Sequence, residues 1–260
     1  MKRQVSEREY IYIYMNDSDH FILSSGIEFH EFMAGIPIQI HNILLLKHRF
    51  EESHFNMHTF LEYADKELID KLLAEDVYGY GDFCWIDFTN EENVNLLNGQ
   101  EIAELLYLGH MKSHLHIPFY GKLNNQFAYL AGDDGHFNKV YYRHWDHFIS
   151  MLGSTIAGKV NNQKEKSLFP IRKKKMVHPI PKEILMPFID HMKDGMVISI
   201  ENMIKNRSVI EIPVWIIGDL IDMDQMYDEY EQLNESRKPD GKIVFDRKIE
   251  KWEAYIPSTI

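Results

Sequence analysis

Gly99–Leu152 reads GQEIAELLYLGHMKSHLHIPFYGKLNNQFAYLAGDDGHFNKVYYRHWDHFISML. Its pattern predicts a helix, a hairpin and a second helix, and that order sets the fold class. Ile102, Ala103, Leu106 and Tyr107 recur at helical spacing and mark the apolar face of a helix from about Gln100 to His114, preceded by Asn98-Gly99. Phe127–Ala131 and Phe137–Arg143 flank Gly132-Asp133-Asp134-Gly135, two aromatic runs around a turn-forming link, which signals a hairpin. Trp145, Phe148, Ile149, Leu152 and Ile156 then share one helical face, with Gly158 near its end. The stretch also holds six of the chain's 14 histidines: His110, His114, His116, His136, His144 and His147.

Upstream, Tyr10–Met15 (YIYIYM) alternates tyrosine with aliphatic residues and predicts a strand bulky on both faces. Residues 16–26, rich in Asp, Ser and Gly, read as turn and loop. His41, Leu44, Leu45 and His48 fall at i, i+3, i+4 and i+7, which predicts a helix from Pro37 to Phe50; a strand through 36–40 is the alternative. Leu61, Ala64, Leu68 and Leu72 predict a second helix, with Thr59 and Glu62 spaced as a capping box. Phe83–Phe88 (FCWIDF) is apolar on both faces, the mark of a buried central strand.

Downstream, residues 159–175 carry seven Lys or Arg against one acid, Glu165, and read as a basic linker. Ile184, Leu185, Phe188, Ile189 and Met192 predict a helix interrupted by Pro187 and stopped at Gly195. Strands follow at 196–200 and 209–217, where Pro213 argues for an edge or a bulge. Asp219–Glu235 reads as an acidic helix, and Lys242–Phe245 and Lys251–Ile256 as a last strand pair. The expected architecture is α+β: mixed, mainly antiparallel sheets with packed helices. It comprises a larger N-terminal unit (1–160), a basic linker (161–177) and a smaller C-terminal unit (178–260).

The formal net charge of -12 repels phosphate backbones and disfavours nucleic acid as a partner. A lone cysteine, Cys84, excludes an internal disulfide and a multi-cysteine zinc site. Mid-strand among apolar neighbours, it is expected to be inert. No apolar run approaches the roughly 20 residues of a membrane helix, and the start MKRQVSEREYIYIYM has no apolar signal core. The expectation is a soluble, cytoplasmic, acidic, histidine-rich protein.

Walker, GxGxxG, GxSxG, HExxH and CxxC motifs are absent from the sequence. The strongest chemical pattern is His110 with His114, four residues apart on one predicted helical face, which is what a Zn, Mn or Fe ion needs from two imidazoles. Asp133 and Asp134 at the hairpin tip would complete such a site. The competing reading makes His110 a core histidine bonded to a carbonyl, His114 a fraying helix end, and the two acids turn formers. On the next helix His147 is placed opposite Trp145 and so toward solvent.

The segments GYGDFCWIDF, NGQEIAELLYLGHM, FYGKLNNQFAYLAGDDGHFNKVYYR, VWIIGDLIDMDQMYDEY and FDRKIEKWEAYI resemble an uncharacterised bacterial family that has carried the label oxalate:formate antiporter. A transporter of that class needs many membrane spans, and the sequence holds none. The resemblance therefore implies a family without a settled activity and supplies no site residues. A looser likeness, by analogy alone, is to the SUKH-type immunity and binding fold. The leading expectation is a binding or regulatory protein without catalytic activity, with a protein partner. The alternative is a metal-dependent hydrolase built on His110, His114, Asp133 and Asp134. A third reading is a pH-responsive protein, because histidines titrate near neutrality.

Overall fold

The computed structural model describes residues 9–48, 50–74, 81–110, 117–132, 135–163 and 176–256. Strand β1 (Tyr10–Asn16) is followed by β2 (Phe21–Ser25). The Asp/Ser-rich segment expected as loop therefore contains a fully buried strand, because FILS supplies apolar side chains just past the turn. Helix α1 (Phe29–Gly35) leads into β3 (Asn42–Lys47), where a helix was expected. Leu44 and Leu45 are both buried, one on each face of a strand paired on both edges. A doubly buried strand loses its period-two signal, and its adjacent leucines then mimic a helical stripe.

The short strands β4 (His54–Phe55) and β5 (Glu62–Ala64) form the next hairpin. Helix α2 (Lys66–Ala74) starts later than expected, and its cap is Asp65, whose Oδ1 accepts the Leu68 amide at 3.0 Å. Then come β6 (Phe83–Phe88), buried at every position as predicted, and helices α3 (Glu91–Asn95) and α4 (Gly99–Gly109). Asn98 and Glu101 close a true capping box at the start of α4. The predicted hairpin is present as β7 (Phe127–Gly132) and β8 (Phe137–Tyr142), and the predicted second helix as α5 (Trp145–Asn162). Residues 159–162, expected to open the linker, are thus its last turn.

Pro187 divides the next helical segment into α6 (Lys182–Leu185), a 3-10 turn at Met186–Phe188 and α7 (Ile189–Lys193). Strands β9 (Met196–Ser199), β10 (Ile204–Lys205) and β11 (Val209–Ile216), helix α8 (Met223–Ser236) and strands β12 (Gly241–Asp246) and β13 (Lys251–Tyr255) complete the chain. Pro213 stands inside β11, where one edge passes from pairing with β10 at Glu211 to pairing with β9 at Val214. The missing N–H falls in the interval between two partners.

Two compact units are assembled, and each draws on distant segments. The first comprises residues up to Tyr14, Glu31–Ile36 and everything from Phe148 on; the second comprises Met15–His30 and Pro37–His147. The boundary expected near residue 160 lies inside the first unit's final run. In the first unit the strand order is β1-β9-β11-β12-β13, with β10 also on β11. In the second it is β2-β8-β7-β6-β3-β5-β4, and the ladders in both are antiparallel. The second unit's core centres on Phe29, whose ring meets Trp85 at 4.8 Å and Tyr129 at 5.0 Å between centroids. In the first, Tyr12 is buried on β1 and its hydroxyl donates toward the Gly218 and Leu220 carbonyls.

Candidate functional site

Among the four residues predicted to bind metal, His110 is described; His114, Asp133 and Asp134 lie outside the described residues. His110 is the C-cap of α4 and is exposed. The expected apolar face is rotated: Leu105, Leu108 and Gly109 are buried, whereas Leu106 and Tyr107 are about half exposed. A Cβ on Gly109 would lie 2.9 Å from the Leu46 carbonyl oxygen, so contact with β3 selects the glycine edge of the helix over the Leu106–Tyr107 edge. His110 therefore points away from the packed face. Among the described residues no three His, Cys, Asp or Glu side chains are grouped to hold a metal ion.

Several other polar side chains are held in structural positions. The His20 ring stacks on Trp145 at 4.6 Å, its Nδ1 donates to the Tyr142 carbonyl at 2.7 Å, and Trp145 donates to Asp17. His147, expected in solvent, has a buried Nδ1 without a hydrogen-bond partner, and burial with His144 nearby lowers its pKa. Cys84 is fully buried, and burial pushes its thiol well above the ordinary range, which leaves it protonated and unreactive. Asp87 is buried too. Burial pushes it up to about 7, against the pull of the Phe127 and Gln126 amides that donate to it.

The feature that composition alone does not show is the tip of the β4–β5 hairpin. Phe55 is 49% exposed, and Met57 and Phe60 are 73% exposed each. Between them Asn56 is 5% exposed and organises the turn. Its Oδ1 accepts from the His58 amide, the Thr59 amide and the Thr59 hydroxyl, each at 3.0 Å. Its Nδ2 donates to Asn95 Oδ1 at 2.8 Å, and its backbone bonds Leu61 and Phe60. Thr59, read from sequence as a helix cap, thus belongs to this turn. Phe60 is held at φ 58°, a left-handed conformation that costs a bulky residue about 1–2 kcal/mol. Six hydrogen bonds at one asparagine hold a loop that presents large apolar side chains to water.

Beside the hairpin an open cleft of about 440 Å³ is lined by His41, Asn42, Asp65, Lys66, Glu67, Thr89, Asn90 and Glu91. Three carboxylates face one ammonium there. The Leu68 amide and then His54, whose Nε2 lies 2.9 Å from Oδ2, hold Asp65 below the usual carboxylate range. Burial, and then Glu91 beside it, pushes the Tyr63 hydroxyl well above the ordinary phenol range. His41, placed by the sequence on one face with Leu44 and Leu45, is exposed on this rim.

Comparison with protein-family models, with curated proteins and with solved structures found no match. No helix among the described residues is long and apolar enough to cross a membrane.

Proposed function

We propose that this is a soluble, cytoplasmic binding or regulatory protein without catalytic activity, and that it docks a protein partner through the Phe55–Phe60 hairpin tip. One observation carries the reading: buried Asn56 fixes a turn in which Phe60 accepts a disfavoured backbone conformation and stands in water with Met57. Strain of that kind persists where surrounding structure over-determines it, and it concentrates at functional surfaces. Burying the two side chains against a partner would return roughly 1.5–3 kcal/mol each. Because the turn is already ordered, little of that gain is lost to ordering it on association.

Photo-crosslinking tests the reading. Benzoylphenylalanine at Met57, irradiated in native extract, is expected to give a discrete adduct that Phe60→Ser abolishes. The same probe at Asp70, exposed on α2, serves as the control position. Equal, diffuse labelling at both positions overturns the assignment.

A further inference from the structure

Lys139 stands on β8 directly opposite Leu23 of β2 on one side and Leu130 of β7 on the other, so its stem crosses an apolar face of the sheet. Its Nζ lies 4.0 Å from the centre of the Phe21 ring and 5.2 Å from that of Tyr141. The two rings meet edge to face at 5.7 Å between centroids. The side chain is partly buried, and among the described residues no hydrogen bond or ion pair holds its amine. Asp19, whose charge reaches it, is exposed on the turn before β2.

Lys242 on β12 offers a comparison within the same chain. It too lies 5.2 Å from a ring, that of Tyr255, but it donates to Glu211 Oε2 at 2.7 Å. A carboxylate partner holds an ammonium in its charged form. At Lys139 the ring faces attract the cation, but burial outweighs them and lowers the pKa of the amine.

We propose that Lys139 is a nucleophilic lysine that takes an acyl group from a small thioester. The neutral amine attacks the thioester carbonyl carbon. The N–C bond forms, the C–S bond breaks and the thiolate leaves, while the proton shed by nitrogen passes to water. A thiol is acidic enough to depart without a general acid. Imine formation with an aldehyde would need one to expel water, and among the described residues no carboxylate or imidazole bonds Nζ. The product is a neutral amide, so the modification removes both the charge and its contact with the rings. It goes beyond the docking role of the hairpin and does not depend on it.

The experiment incubates the intact chain with the acetyl thioester of N-acetylcysteamine from about pH 6.5 to about pH 9.5 and times acetylation at each lysine by peptide mass spectrometry. At about pH 7.5 Lys139 is expected to react at least about threefold faster than Lys242, and its rate should level off at a lower pH. In urea strong enough to unfold the chain the two rates should converge, because the rings and apolar walls are then gone. A Lys139 rate no faster than that of Lys242 in the folded chain, or superimposable pH profiles, overturns the proposal. A lead that persists in urea overturns it as well, since the flanking sequence and not the fold would then set the reactivity.

Discussion

Asn56 Nδ2 donates to Asn95 Oδ1 at 2.8 Å, and through that bond a two-strand hairpin is fixed to a five-residue helix. Asn56→Ala is expected to destabilise the chain by about 2–3 kcal/mol, since the buried Thr59 amide and hydroxyl lose their acceptor. Hydrogen exchange should rise over 54–62 and stay unchanged over β6–β8. A variant as protected as wild type in that segment would show that the turn is held by something else.

Phe60→Gly gives the opposite sign. Glycine adopts φ 58° without strain, and the phenyl ring contributes little where it is 73% exposed. Urea unfolding should show stability unchanged or raised by up to about 1 kcal/mol, while binding to any partner that crosslinks at Met57 is lost. A marked loss of stability would mean that the ring is structural.

Two ionisable groups predict opposite pH slopes. Asp87 has a folded pKa near 7, well above the ordinary carboxylate value of about 4. Its contribution is fully present below pH 4 and is lost as pH rises toward 7. Asp87→Asn should therefore gain stability relative to wild type across that window, by an amount on the order of 1–4 kcal/mol at pH 7.5. Parallel urea midpoints for the two proteins from pH 4.5 to 7.5 would rule this out.

His147 works the other way. Its folded pKa is depressed, so its contribution is present above about pH 6.5 and is lost as pH falls through the lower folded value. His147→Leu removes both the proton and the orphaned Nδ1. Its melting temperature should match or exceed wild type at pH 7.5, and the advantage should widen by pH 5.5. A narrowing advantage would contradict the assignment.

Glycines on α5 separate packing from propensity. A Cβ at Gly153 would lie 2.3 Å from the Ile180 carbonyl oxygen, whereas one at Gly158 meets nothing within 4 Å. Gly153→Ala should cost about 1–3 kcal/mol or more through overpacking. Gly158→Ala should stabilise by about 0.5–1 kcal/mol, the helix-propensity difference. Calorimetry of the pair checks both, and equal effects would place the helix differently.

Sequence patterns were readable where one rule acted alone. FCWIDF, the aromatic hairpin of β7 and β8, and the stripe of α5 each carry a local signature strong enough to survive packing. NILLLK failed because burial on both faces erases alternation, and FILSS because its neighbours are turn formers. On α4 the periodicity was right and the face was wrong: Gly109 packs on β3, and absence of a side chain is invisible to a hydrophobic stripe. The hairpin tip was unreadable for a related reason. Phe55, Met57 and Phe60 look like core residues, and only the turn organised by Asn56 turns them outward. The Asn56 to Thr59 spacing was the one available signal, and it competed with a plausible helix cap.

The pairing of β1 with β9 aligns Tyr10 with Ser199, a separation of 199 − 10 = 189 residues. During synthesis β9 is thus made long after the strand it pairs with. The second unit, complete at His147, has all its strands on hand while β1 still waits. Domains fold as they are synthesised, and closing so long a loop is slow. The edge of the tyrosine-rich β1 that pairs with β9 therefore stays open until residue 196 emerges, and an open apolar edge is prone to aggregation. Slower elongation through the last third of the message would prolong that exposure, whereas a chaperone that shields a short extended segment would relieve it.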